Sequence, residues 1–373
     1  MKMQSQHDFD VYIVIKASDW YVAEKTIPYI KKNINPKNIY IISGKDLKDN
    51  LSQETGCLFL DENSIFPGMT FSSVREYLIN LGSLPENTGW YLQQFIKLSL
   101  AYLCKNEYYL VWDADTIPLN LLPFFDKKDR PYFNMKREYF KAYYKPIKNL
   151  FGYEKKTAAS FVSEHMLFNV EVTKQMLQKI IDNKNYDGEN FWQKILQASE
   201  LLTPDLLKKD QRYFSEFETF GTYTDYNCPK MYARRKLRTL RCGADLLGTN
   251  PSDELLEWAS KDFDTISFEI WAKPLPEVER LKSPDYIKTH TCAQYIHQIL
   301  NERRRGGIKA VLRGDADGFH SYQLFRRQIT KFDFFFFRKV NYKKQRNIFY
   351  RIFRKIVITL AGVDTEPKFK FDK

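Results

Sequence analysis

The sequence predicts an α/β protein built on a parallel sheet with helical crossovers. Short apolar runs, the first of them with several β-branched residues, recur at 9–15, 38–42 and 108–112, and stretches with helical spacing lie between them. Strands that alternate with helices pair in parallel, because each crossover returns the chain to the same end of the sheet. Composition agrees: 43% hydrophobic and 16% aromatic residues with only 15 Gly and 15 Pro in 373 can fill one large core or two smaller ones.

Phe9 to Ile15 is the first strand, closed by Ser18-Asp19. Tyr21 to Lys32 reads as a helix despite Pro28, Asn38 to Ile42 as a second strand closed by Ser43-Gly44, and Cys57 to Leu60 as a third. Ligands of such sheets gather at the carboxyl ends of the strands. Asp19, just past the first strand, is therefore either a loop or helix cap or a nucleotide contact. Gly89 to Leu103 reads as a helix with Leu92, Phe95, Ile96, Leu100 and Leu103 near one face. Tyr108 to Trp112 reads as a buried strand that runs directly into Asp113-Ala114-Asp115-Thr116, and Pro118 and Pro123 take the chain away in a loop. Further on come Ser163-Glu164-His165 ahead of an apolar Met166-Leu167-Phe168, a helix over Val172 to Asp182, the aromatic and acidic block Phe214 to Tyr223, a strand over Thr265 to Trp271, and Ile287 to Thr291.

After Leu300 the character changes. Arg303-Arg304-Arg305-Gly306-Gly307 reads as a linker or exposed turn. Between Ser321 and Leu360 eleven Lys or Arg face a single acid, Asp333, so +10 of the net +12 sits there and the remainder is nearly neutral. Ile348, Phe349, Ile352, Phe353, Ile356, Val357 and Leu360 recur at helical spacing among those cations, the pattern of a basic amphipathic helix. Residues 1–300 are thus expected to form the catalytic domain and 301–373 a basic helical region. Such a tail suits an anionic membrane surface better than a nucleic acid, since a phosphate backbone has no use for buried Ile and Val. The five cysteines are odd in number, widely spaced and without a Cys-x-x-Cys pair, which excludes a disulfide framework or zinc knuckle and fits a reducing cytosol. The run Val11 to Ile15 is too short for a signal-peptide core, and no stretch reaches the roughly 18 apolar residues of a membrane span. The expected location is cytoplasmic and peripheral, at the inner face of the cell membrane.

Asp113 and Asp115 are the most informative pair. Mg²⁺ and Mn²⁺ take oxygen ligands, commonly one or two carboxylates plus substrate phosphates, and a loop holding two carboxylates at a strand end provides them. An arbitrary Asp-x-Asp is more often a turn or cap; here an apolar, aromatic strand precedes the acids and Thr-x-Pro follows. Asp315-Ala316-Asp317, flanked by Gly314 and Gly318, lacks that setting and reads as a turn.

Tyr109-Leu-Val-Trp-Asp-Ala-Asp-Thr116 resembles the metal-binding motif of nucleotide-sugar glycosyltransferases of the GT-A fold. Gly89-Trp-Tyr-Leu-Gln-Gln-Phe-Ile-Lys-Leu98, Ser163-Glu-His-Met-Leu-Phe168 and Ser215-Glu-Phe-Glu-Thr-Phe-Gly221 are similar to blocks of bacterial polysaccharide and lipopolysaccharide glycosyltransferases, among them families described from a domain of unknown function. The resemblance spans roughly residues 8 to 295 and implies a GT-A-like, Rossmann-type mixed sheet flanked by helices. It further implies that Asp115 coordinates Mn²⁺ or Mg²⁺ and that Asp113 holds the donor's ribose or the metal's water shell. His290 would be a further metal ligand, or else a partly buried histidine bonded to backbone. Glu164 and His165 would line the donor-sugar or acceptor pocket, and Gln93, Gln94 and Lys97 would face the diphosphate, unless Lys97 lies on a plain solvated face.

An inverting transfer, the expected course, needs a base near the acceptor hydroxyl. Glu216 is preferred and Glu218 is next, since in an extended segment the two would point to one side; the alternative is that one of them caps a helix or pairs with an Arg such as Arg234 or Arg235, and a retaining enzyme would need neither. The expected partners are a nucleotide sugar, taken as a UDP-sugar, a saccharide or lipid-linked acceptor, and the anionic membrane, with no nucleic acid. The alternative is a basic nucleic-acid-binding or metal-dependent nuclease-like protein, drawn from the acidic pair and the tail.

Overall fold

The computed structural model describes residues 7–51, 55–136, 140–157, 159–201, 212–269 and 273–312. The chain divides into two compact units, Met1–Leu237 and Arg238–Lys373.

The first unit opens with β1 (Phe9–Val14), α1 (Trp20–Asn33), β2 (Ile39–Ser43) and β3 (Leu58–Asp61). Helices α2 (Phe71–Asn80) and α3 (Thr88–Leu103) then lead to β4 (Tyr108–Trp112), which is followed by the short strands β5 (Thr116–Pro118) and β6 (Tyr132–Asn134). Next come α4 (Tyr144–Phe151), β7 (His165–Asn169), α5 (Val170–Ile181), α6 (Phe191–Ala198), α7 (Glu216–Asn227) and β8 (Ala233–Arg235). Five strands form a mixed sheet in the order β3-β2-β1-β4-β7. The first four are parallel, and β7 runs antiparallel to β4 at the edge. A second, two-stranded pair joins β6 and β8.

Strand alternation splits the core into two layers. Val11, Ile13, Leu110 and Trp112 face α1 and its Ala23, Ile27 and Ile30. Tyr12, Val14, Tyr109 and Val111 face the opposite way, into a larger aromatic cluster with Phe95 of α3, Met176 of α5, Trp192 of α6 and Phe220 of α7. These strands are covered on both faces and accordingly read as continuous apolar runs. Pro28 sits inside α1 without ending it.

In the second unit, β9 (Thr239–Leu240) and β10 (Thr265–Ser267) pair in parallel, and the hydroxyls of Thr239 and Thr265 meet at 2.8 Å. Around them lie α8 (Gly243–Leu247), α9 (Asp253–Ser260), α10 (Pro284–Thr289) and α11 (Cys292–Leu312). The stretch Arg303–Gly307, expected as a linker or turn, lies within α11; Arg303 holds Glu277 through two nitrogens at 2.8 and 3.1 Å. The expected amphipathic helix over 348–360 and the Asp315–Asp317 turn lie outside the described residues. Among the described residues no helix is long and apolar enough to cross a membrane.

Helix α7 owes its close seat to Gly221. A Cβ there would lie 2.2 Å from Cγ of buried Phe161, so any side chain must displace the ring or the helix. Gly221→Ala is expected to destabilise the protein by about 1–3 kcal/mol, the usual cost of overpacking. Urea unfolding of Gly221→Ala in the wild-type and Phe161→Ala backgrounds checks this: the cost of the added methyl should shrink once the ring is gone.

Candidate active site

Strand β4 is buried along its whole length and pairs on both sides, Tyr108 with Phe9 of β1 and Trp112 with His165 of β7. Past Trp112 the chain turns tightly, and the turn is tied from several directions. The Asp113 amide donates to the Glu164 carbonyl at 2.9 Å, and the Thr116 amide to the Asp113 carbonyl at 3.1 Å. The Trp112 indole N–H donates to the Thr116 carbonyl at 2.6 Å. Two residues of α1 hold the same segment: Thr26 donates to the Ala114 carbonyl at 2.8 Å and Asn33 to the Pro118 carbonyl at 2.7 Å. Asp113 and Asp115 are half-buried at this strand end, and Asp115 Oδ1 accepts from the Thr116 hydroxyl at 3.2 Å.

Alternation along β4 turns Asp113 to the same face as Tyr109 and Val111. There its Oδ1 meets Lys97 Nζ of α3 at 3.0 Å, and the same ammonium lies 2.9 Å from Glu216 Oε1. The Lys97 side chain is only 4% exposed and that of Glu216 3%, whereas Asp113 is 32% exposed. Burial opposes the Lys97 charge, but Asp113 and Glu216 outweigh it, and the lysine's proton affinity rises above its usual value. Glu216 is also pushed up: burial dominates, Lys97 pulls the other way and Asp113 adds repulsion.

Glu216 and Glu218 lie in the first turn of α7 and not in an extended segment, the geometry that would have pointed both to one side. Two residues apart on a helix is about 200° of rotation, so they part company instead of sharing a side. Glu216 turns to Lys97. Glu218 turns to Ser160 and Tyr144, whose hydroxyls donate at 2.6 Å each, and to the Phe161 amide at 3.1 Å, with Lys155 at 3.6 Å. The helix-cap alternative named for this pair is the one seen at this helix start: Ser215 and Glu218 form a Ser-x-x-Glu pattern, and the Ser215 hydroxyl accepts from the Glu218 amide. Carboxylates in a first turn are also favoured by the helix dipole.

Glu164 is opposite Asp113 across the β4–β7 pair, and its carboxylate meets Lys136 at 3.0 Å with both side chains buried. Sequence reading had not singled out Lys136, Ser160 or their roles. His165 points to the other face, stacked on Trp112 with ring centres 4.4 Å apart. Its Nε2 meets the Asn134 side-chain amide, whose Oδ1 accepts from Arg235 Nε at 2.6 Å. Arg235 thereby orients the amide to donate to the imidazole. Burial foremost, then the charges of Arg235 and Lys136, hold His165 well below its usual range. Gln94, one turn before Lys97, accepts from the Glu216 amide at 3.4 Å, while Gln93 donates to the Val14 carbonyl at 3.2 Å.

Asp19 ends a short 3-10 turn past β1 and accepts from Ser18 at 2.9 Å. Strands β1 and β4 are the neighbours between which the strand order reverses, so Asp19 and the acidic turn follow the two strands that flank this switch point. The structure thus gathers Asp113, Lys97, Glu216 and Gln94 in one contact network and keeps Glu218 apart on its own partners. His290 belongs to the second unit, where its Nδ1 meets the Thr289 hydroxyl and the Tyr286 carbonyl and its ring stacks on Tyr286. Among the described residues no group of three or more His, Cys, Asp or Glu is placed to hold a metal by itself. Asp113 and Asp115 offer hard oxygen donors in a partly exposed turn, a set that suits a cation sharing its shell with substrate phosphates and water.

A family model described as "Family of unknown function (DUF6492)" matches residues 35–237. No curated protein matches the chain. Among solved structures, the galactosyltransferase LgtC in complex with donor and acceptor sugar analogs is 11% identical over 75% of this chain and 96% of that one, with a TM-score of 0.36. The apo bifunctional glycosyltransferase WbbM is 11% identical over 73% and 48%, with a TM-score of 0.34. The apo glycosyltransferase GlyE of Streptococcus pneumoniae TIGR4 is 12% identical over 79% and 64%, at 0.33.

The environment of His165 makes stability depend on pH. Its folded proton affinity is depressed, so below the usual 6.5 the unfolded chain binds a proton that the folded one refuses. The stabilisation is present above pH 6.5 and is lost as pH falls. Going from pH 7 to 5.5 is expected to cost about 1 kcal/mol through this residue. Urea unfolding of wild type and His165→Gln at both values checks it, with the variant losing less by that amount.

Proposed function

The chain belongs to this family of unknown function, and from that premise we propose that it is a metal-dependent glycosyltransferase moving a sugar from a nucleotide sugar, a UDP-sugar, to a saccharide or lipid-linked saccharide acceptor of a surface polysaccharide. One observation carries the reading: two carboxylates, Asp113 and Asp115, stand in a tied turn at the carboxyl end of a central strand, beside the point where strand order reverses. Ligands of open α/β sheets bind at such a place. Asp115 and Asp113 would hold Mn²⁺ or Mg²⁺, which when bound offsets charge on the departing diphosphate. Asp19, Gln94 and Glu164 border the donor end in this reading, whereas His165, expected there too, is buried on the opposite face of the sheet against Trp112.

The chain's own acid–base group is Glu216. Burial raises its affinity for a proton, which suits a base whose task is to take one at neutral pH. In an inverting transfer the acceptor oxygen bonds to the anomeric carbon as the bond to the diphosphate breaks, and the hydroxyl proton passes to Glu216. Glu218, already accepting three hydrogen bonds, is suited to hold the start of α7 against Ser160 and Phe161.

Donor turnover with and without acceptor tests this. Asp115→Asn and excess EDTA are each expected to abolish it with the fold intact. Glu216→Gln is expected to lower kcat by roughly 10²-fold with donor affinity held, while Glu218→Gln lowers stability by about 1–3 kcal/mol instead. Full turnover in EDTA would sink the reading, and equally small effects of both glutamates on kcat would move it to a retaining mechanism.

The basic tail, residues 321–360, completes the proposal as a peripheral anchor to the anionic inner face of the cell membrane, where a lipid-linked acceptor would be met in two dimensions. Each base near such a surface contributes about 1 kcal/mol, and the stripe of Ile352, Phe353, Ile356 and Val357 adds burial that salt does not screen. Deleting residues 321–373 is expected to abolish sedimentation with phosphatidylserine vesicles and to spare donor cleavage. Retention of nucleic acid on filters, unmatched by vesicle binding, would reassign the tail.

A further inference from the structure

We propose that Lys97 is a positioning residue that holds Asp113 and Glu216 on one buried ammonium, so that the metal-binding carboxylate and the base are set by a single pivot. The inference rests on the proposed glycosyltransferase reading and gives Lys97 a role other than contact with the diphosphate. Its Nζ lies 3.0 Å from Asp113 Oδ1 and 2.9 Å from Glu216 Oε1, in a side chain that is 4% exposed.

The seat of this ammonium is fixed from three elements. The Tyr109 hydroxyl of β4 donates to the Lys97 carbonyl at 3.0 Å. The Phe217 ring of α7 lies 4.7 Å from Nζ. On α3 itself Gln94, at the i−3 position and so on the same face, accepts from the amide of Glu216 at 3.4 Å. Residues 94 and 97 therefore hold both the backbone and the carboxylate of Glu216, and Lys97 extends that hold to the end of β4. A lysine so packed has few rotamers to explore, and swinging it away toward a ligand would break two ion pairs.

Charge points the same way. Lys97 Nζ stands between a carboxylate of the acidic turn and the carboxylate that opens α7, so one positive charge faces both. Groups that orient a ligating side chain from behind typically change metal affinity 10–100-fold when removed.

The test compares Mn²⁺ binding, in the presence of UDP, by electron paramagnetic resonance of the free ion. Lys97→Met alone leaves a buried, unpaired carboxylate and can unfold, so Lys97→Met/Glu216→Gln is compared with Glu216→Gln, and thermal unfolding is recorded for each. We expect the double variant to fold and to bind Mn²⁺ at least tenfold more weakly than Glu216→Gln. Lys97→Arg, which keeps the charge but moves it on a longer, flat head, is expected to lose at least threefold while staying folded. Equal or tighter Mn²⁺ binding in the double variant, or unchanged binding in Lys97→Arg, overturns the proposal. Absence of Mn²⁺ binding by the wild type with UDP overturns the glycosyltransferase reading itself, and this inference with it.

Discussion

Register in β4 is the constraint on which the rest of the first unit depends. The strand is bonded in parallel to β1 and antiparallel to β7, with Trp112 opposite His165. Side chains on a strand alternate, so a slip of one residue would carry every one of them to the other face. Asp113 would then look toward α1 and away from Lys97 and Glu216. The double pairing excludes that slip, and the contacts of Thr26 and Asn33 with the following turn hold the acids where the strand delivers them.

Around this strand end the interior is unusually charged for its aromatic surroundings. Lys97 and Glu216, and Lys136 and Glu164, are buried ion pairs near the end of β4, with half-buried Asp113 joined to the first. A buried ion pair contributes little net stability compared with apolar residues of similar size, while removing one partner costs about 3–5 kcal/mol. Stability alone thus gives no reason to keep these groups inside. A requirement for fixed charges at one end of the sheet does.

Much of this architecture was legible because its signals are local. The runs at 9–15, 38–42 and 108–112 became β1, β2 and β4 within a residue or two, since strands covered on both faces need continuous apolar stretches. The 89–103 helix and the acidic turn were equally plain. What stayed hidden was set by tertiary contact. Lys97 in sequence is one polar residue on an apolar helix, equally suited to water or to a ligand, and only the meeting of α3 with α7 buries it. The start of α7 stayed open between an extended run and a helix cap because Phe-Ser-Glu-Phe-Glu alternates like a strand while Ser215 and Glu218 hold a capping pattern. The helical continuation through Arg303–Gly307 ran against two glycines, and an ion pair to Glu277 now lies at its entry.

Gly221 links packing to chemistry in a way that neither site nor core shows separately. Its missing side chain lets α7 settle against Phe161, and the depth of that seat sets how far the first turn, five residues earlier, stands from the end of β4. The gap between the two carboxylates that share Lys97 is therefore gauged by a residue that touches neither of them. A substitution there acts as a spacer, widening the distance between the group that would meet the donor and the group that would meet the acceptor. Loss of rate could then precede loss of fold at a position with no polar atom of its own beyond the backbone.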